Sequence, residues 1–129
     1  MGRSLRRIVP LFLAAAPAAW SGDSVGFNER IVPILNQHCV MCHLPGAAQA
    51  GLNLYPDPWE ALVGVASTES PLKLVEPGSP EKSYLYLKLQ GRHEQAGGSG
   101  ARMPFQQDPL DAGDLETIRT WIEQGAAQN

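Results

Sequence analysis

Two cysteines stand three residues apart in this chain, and a histidine follows the second directly: Cys39-Val40-Met41-Cys42-His43. Thiols at this spacing can each add to one of the two vinyl groups along an edge of a haem, while the adjoining imidazole reaches the iron from one face. The pattern predicts one covalently bound haem c, tethered through Cys39 and Cys42, with His43 as an axial iron ligand. Other chemistries use the same residue types. A structural zinc site needs four protein ligands, and only His38 and His93 remain to join these three. A thioredoxin-like redox pair favours a βαβ setting with a helix opening at the first cysteine, whereas here a helical pattern precedes the pair. A simple disulfide is the third alternative, because two thiols in an oxidising compartment normally pair.

The opposite face of such an iron takes a ligand or stays open. Met1 belongs to the leader described below and Met41 lies inside the attachment loop, so Met103 is the thioether left by elimination. It sits in Arg102-Met103-Pro104, after a glycine-rich stretch over residues 91–100, and the proline favours an extended conformation for the residue before it. A soft thioether suits haem iron and raises its reduction potential. His93 is the rival ligand, although its place between Arg92 and Glu94 reads as a solvated imidazole. His38 is expected to be solvated or to cover the haem edge. Arg102 is a candidate partner for a haem propionate, with a solvated cation as the alternative. For the carbonyl that accepts the His43 ring N–H, the candidate is Pro45.

These side chains must be positioned by short helices. Asn28 is the expected cap of a first helix running to Cys39, with Phe27, Ile31, Ile34 and Leu35 on its buried stripe and Pro33 loosening it. Asp57-Pro58-Trp59-Glu60 reads as a cap, a first-turn proline and a third-position glutamate, which predicts a helix over 58–63. Ser79-Pro80 repeats that grammar and predicts a helix through Leu89, stopped by Gly91, with Tyr84, Leu85 and Leu89 buried. Asp111 caps a last helix to about residue 124, with Leu115, Ile118 and Ile122 on one face and Trp121 beside the first helix. Trp59 and Trp121 read as core residues. No segment alternates with a two-residue period, so strands are expected to be absent or very short and the fold class all-α, with three to four helices around the haem. Residues 44–54 and 65–78 are loops expected to cover the macrocycle.

At the N-terminus, Arg3, Arg6 and Arg7 precede an apolar stretch over 8–19 and small residues suited to a signal peptidase, which predicts a secretory signal peptide over 1–21. Twelve apolar residues interrupted by Pro10 and Pro17 fall short of the roughly 20 needed to cross a bilayer. The expected location is the periplasm, or otherwise outside the cytoplasmic membrane, with no stable membrane span after cleavage. Residues 22–129 then form a single domain. They keep 7 of the 10 basic residues and all 13 acidic ones, a net charge of 7 − 13 = −6. Such a balance argues against nucleic acid as a partner and for a redox protein with a basic docking patch.

Read in order, Cys39-Val40-Met41-Cys42-His43, Ala50-Gly51-Leu52-Asn53-Leu54, Val75-Glu76-Pro77-Gly78-Ser79-Pro80-Glu81-Lys82-Ser83-Tyr84-Leu85-Tyr86, Arg102-Met103-Pro104 and Trp121-Ile122-Glu123-Gln124-Gly125-Ala126 resemble the small cytochrome c domain common in planctomycete proteins. The resemblance covers residues 27–126. It implies the cytochrome c fold, with N- and C-terminal helices crossing near the attachment site, His43 proximal and Met103 distal. Leu44 stands where that family usually has glycine, and Phe105 follows Met103-Pro104 in place of a second proline.

An iron held on both sides has no vacancy for substrate, which suits one-electron transfer rather than bond chemistry. The expected function is therefore an exported single-haem electron carrier, not an enzyme. The competing readings are a haem enzyme or gas-binding sensor with an open distal face, and the electron-relay subunit of a larger dehydrogenase. No acid–base constellation supports peroxidase chemistry, since the carboxylates stand at helix starts, where capping explains them.

Overall fold

The computed structural model describes residues 22–129; the predicted signal peptide over 1–21 lies outside the described residues. Four α-helices carry the architecture: α1 (Val32–His38), α2 (Pro58–Leu62), α3 (Tyr84–Gln90) and α4 (Ala112–Glu123). Among the described residues there is no strand, and only three isolated bridges pair Val63 with Val75, Ala66 with Lys73, and Lys73 with Ser83. The described residues are thus helical and compatible with an all-α fold, in line with their lack of two-residue alternation.

A single π-helical turn, Phe27–Ile31, leads into α1. Pro33 has no N–H to donate, and its ring would crowd the carbonyl four residues back in a regular helix. The turn before it widens instead, with the Val32 amide donating to the Phe27 carbonyl. The expected Asn28 cap is not made. Gly26 precedes the turn, and the far end of the chain satisfies its free amides: Phe27 donates to Asn129 Oδ1 at 2.9 Å and Asn28 to the Asn129 carbonyl at 3.0 Å. Hydrogen bonds from the first turn to the exposed Asn129 thus replace a local cap, which no reading of the local sequence would reveal.

The same union builds the core. Phe27, Ile31, Leu35, Leu62, Ile118, Trp121 and Ile122 are all buried to 2 % exposure or less, and the Phe27 and Trp121 rings lie 5.3 Å apart. Trp121 is in the core as expected, whereas Trp59 is only half-buried at its edge; both find acceptors near the C-terminus, Trp59 Nε1 donating to the Ala126 carbonyl at 2.8 Å and Trp121 Nε1 to that of Ala127 at 3.0 Å. At α2 and α4 the caps form as expected, with Asp57 accepting from Trp59 and Glu60, and Asp111 from Asp114.

The helix predicted from Pro80 through Leu89 divides. A 3₁₀ turn, Pro80–Lys82, ends at Ser83, whose backbone is extended, and α3 begins at Tyr84. Ser83 is fully buried; its hydroxyl donates to the Ser79 carbonyl at 2.9 Å and accepts from the Glu76 amide at 2.9 Å. Beyond the break, the Tyr84 and Leu85 amides bond the carbonyls of Lys73 and Leu74 at 2.9 Å each. Tertiary pairing to residues 73–74 therefore outcompetes continuation of the helix. α3 also buries more than the expected stripe: Tyr84, Tyr86, Leu87, Lys88 and Leu89 are buried, while Leu85 is only half-buried. Gly91 closes α3 in the left-handed region at φ 72°, as its glycine predicts.

Candidate functional site

α1 ends at His38; Cys39 follows as its cap, and Cys42 closes the tight 3₁₀ turn, Val40–Cys42, that comes next. The turn is held by Cys42 N–H to the Cys39 carbonyl at 3.2 Å and His43 N–H to that of Val40 at 3.1 Å. Both thiols are free; Cys39 is half-buried and Cys42 exposed. Burial pushes the Cys39 thiol up to about 11, and the neighbouring Cys42 adds to the rise, so the Cys39 sulfur keeps its proton at neutral pH.

After the turn, residues 44–54 loop out and return to His43. The Leu54 amide donates to the His43 carbonyl at 2.8 Å, and His43 Nδ1 lies 3.1 Å from the Leu52 carbonyl. A carbonyl only accepts, so Nδ1 carries a proton, and in the neutral imidazole Nε2 is the nitrogen with a free lone pair. Leu52, not Pro45, is thus the residue that orients the imidazole. Pro45 lies at the outward start of the loop, whereas the 3₁₀ turn Gln49–Gly51 brings the chain back to the ring.

Cys39, Cys42, His43 and Met103 all line one cavity of about 840 Å³. That volume falls in the range of pockets that enclose small molecules and cofactors. Its walls are largely apolar, with Leu35, Leu52, Leu54, Leu62, Leu74, Leu85 and Leu89 among them. Met41, Val65 and Phe105 also line the cavity and are themselves exposed, Met41 to 79 % and Phe105 to 52 %, so its mouth carries an apolar rim. His38 belongs to the lining too, half-buried, with Nε2 3.9 Å from Asp114.

Met103 approaches from residues 98–107, a segment that runs along α3. Its amide donates to the Lys88 carbonyl at 3.2 Å. Gly98 passes so close to Tyr84 that a Cβ there would collide with the phenol hydroxyl and ring, which explains a glycine at this point without any need for a positive φ. Lys88 is buried at 8 % exposure, and its ammonium donates to the Ser99 carbonyl at 2.5 Å and to Glu69 Oε2 at 3.3 Å. Tyr84 donates its hydroxyl to the same Glu69 oxygen at 2.8 Å. Burial raises the Tyr84 phenol, and the Glu69 carboxylate raises it further, to about 12. Burial alone would raise Glu69, but the Tyr84 hydroxyl and the Lys88 ammonium outweigh it and hold that carboxyl below its usual range.

One expectation for this segment is corrected. His93 is neither a ligand candidate nor solvated: it is buried at 3 % exposure, absent from the cavity lining, and bonded through Nε2 to the Gly100 carbonyl at 2.9 Å. The 3₁₀ turn His93–Ala96 folds it beneath the segment. Arg102 lies outside the lining; its Nη2 donates to the Gln107 carbonyl at 3.1 Å, and its Nη1 is buried without a partner.

No motif announces the network of Lys88, Glu69 and Tyr84, although the sequence holds one signal of it. Tyr84 and Lys88 are four residues apart and share a helix face, and a lysine on a core-facing stripe demands a partner. Among the described residues, no three His, Cys, Asp or Glu side chains converge as a metal site. Cys39, Cys42 and His43 therefore share a wall without closing on a point, which is unlike a structural zinc centre. Comparison of the chain with models of protein families, with curated proteins and with solved structures finds no match.

Proposed function

We propose that this chain is an exported c-type cytochrome carrying one haem and acting as a one-electron carrier. The observation that carries the reading is the convergence of Cys39, Cys42, His43 and Met103 on a single apolar cavity, although Met103 lies 60 residues from His43 in sequence. The donor set fits the group. Two free thiols stand at the vinyl spacing, one imidazole has its Nδ1 engaged by a carbonyl and its Nε2 left over for a metal, and one thioether is available to the second face. Haem, when bound, supplies an iron that cycles between ferric and ferrous states by one electron.

The chain's own residues do the rest. Cys39 and Cys42 would each add S–H across a vinyl double bond, with the proton ending on carbon and no atom lost. Leu52 fixes the tautomer and orientation of His43, so that the same nitrogen serves both oxidation states with little rearrangement. The leucines of α1, α2 and α3 exclude water from the ring faces and keep the local dielectric low, and with Met103 as a soft ligand this favours the ferrous state. Met41, Val65 and Phe105 leave an apolar edge exposed where a partner can approach within electron-transfer distance. The reading implies an acidic carrier whose partner presents a basic patch, in keeping with the net charge of 7 − 13 = −6 over residues 22–129. Among the described residues, no helix is long and apolar enough to cross a membrane.

Spectroelectrochemical titration of the purified holoprotein tests this. A single reversible one-electron wave, with the ferrous form slow to bind carbon monoxide, is expected. Rapid carbon monoxide or cyanide binding would favour an open-faced haem enzyme or sensor.

A further inference from the structure

Lys88 touches the Met103 segment twice. Its main-chain carbonyl accepts the Met103 amide at 3.2 Å, and its buried ammonium donates to the Ser99 carbonyl at 2.5 Å, four residues earlier on the same segment. Glu69 holds the ammonium from the other side at 3.3 Å and is itself held by the Tyr84 hydroxyl at 2.8 Å. A lysine with a side chain 10 % exposed is costly to bury unless its charge is compensated, and here one carboxylate and one carbonyl supply the compensation. Residues 99–101 are exposed, and apart from Lys88 the start of the segment is held through His93, whose carbonyl accepts the Gly98 amide at 3.0 Å and whose Nε2 lies 2.9 Å from the Gly100 carbonyl. Lys88 also lines the cavity beside Leu85 and Leu89, so its position is coupled to the wall on which Met103 stands.

We propose that Lys88 is a positioning residue for the distal ligand: its ammonium, locked by Glu69, pins the segment that presents Met103, and its carbonyl sets the height of Met103 on the cavity wall. This rests on the reading of Met103 as an axial iron ligand. The role belongs to the charge and not to the stem, because the methylenes alone can pack on the wall but cannot hold the Ser99 carbonyl. Removing the ammonium leaves Ser99 unpinned and Met103 held by one amide bond, which shifts the balance towards a ligand-free distal face.

The test uses the holoprotein. Lys88→Met keeps the length of the stem and removes the charge; Lys88→Arg keeps the charge; Met103→Ala is the reference for complete loss of the ligand. Oxidised spectra report the sulfur-to-iron charge-transfer band, and carbon monoxide titration of the ferrous form reports access to the iron. Lys88→Met is expected to weaken the band and raise carbon monoxide affinity by about tenfold, the scale of one lost hydrogen bond to a charged group. Lys88→Arg is expected to restore both towards wild type, which a mere packing role would not produce. If Lys88→Met is not recovered with haem, Glu69→Gln carries the same test, since its half-exposed side chain holds the ammonium without touching the segment. A band that depends on Met103 but is unchanged in these Lys88 and Glu69 variants overturns the positioning role alone. A wild-type protein without the band, or a Met103→Ala spectrum identical to wild type, removes the axial-ligand reading and the positioning role with it.

Discussion

At the scale of single residues, the account turns on Met103 and on the glycine that lets it arrive. Met103→Ala should leave the haem attached through Cys39 and Cys42 but lower its reduction potential and open the iron to carbon monoxide, as potentiometry and ligand titration will read. Gly98→Ala tests the approach of the segment. The added carbon would collide with the Tyr84 hydroxyl and ring, so the backbone or the ring must move, at a cost of about 1–3 kcal/mol in urea unfolding. An unchanged midpoint would mean that the segment does not pack on Tyr84. The four candidate ligand and attachment residues were legible because thiol spacing and the scarcity of methionine are properties of the string itself. The Leu52 carbonyl was not, because a main-chain oxygen has no identity in sequence, and only the return of the loop selects it. The burial of His93 was hidden for a related reason: its neighbours Arg92 and Glu94 are polar, and the glycine-rich turn that folds it inward follows it.

Among the elements, α3 connects the core to the ligand segment through Tyr84 and Lys88. The network has a pH signature whose sign follows from its phenol. Tyr84 ionises near 10 in the unfolded chain and near 12 when folded, so the unfolded state loses its proton first. Its contribution to stability is complete below pH 10 and is lost as pH rises towards 12. Glu69 acts at the other end. Its carboxyl is lowered from 4.5, so its contribution is present above that pH and is lost as pH falls through the lower folded value. Urea midpoints of wild type and Tyr84→Phe should therefore converge as pH rises from 10 to 12, and a constant gap would contradict the network. The elements themselves were unevenly legible. Caps at Asp57 and Asp111 and the stop at Gly91 formed as read because their hydrogen bonds are local. Asn28 and Ser83 behaved differently because distant partners, Asn129 for one and residues 73–76 with Ser79 for the other, offered the backbone a better bond.

For the molecule as a whole, the decisive quantities are charge and the apolar cavity. The described residues carry 7 basic and 13 acidic side chains, so encounter with a basic redox partner should be steered by Coulomb attraction. Stopped-flow rates should fall as ionic strength rises from about 0.01 M to 0.15 M, where the screening length shrinks from about 30 Å to 8 Å. Rates independent of salt would remove the steering. All-α character was readable from the missing two-residue period, but the union of the first turn, α4 and the final residues was not, since it joins positions about a hundred residues apart.

The central claim is that a haem is bonded through sulfur to Cys39 and Cys42. Its most direct test is intact mass, after acidified acetone extraction, of protein made in a host that installs haem c. The account predicts that the colour stays with the chain and that the mass exceeds that of the processed polypeptide by one haem, with nothing lost. Colourless protein lighter than the reduced polypeptide by two hydrogens, the signature of a Cys39–Cys42 disulfide, would contradict it.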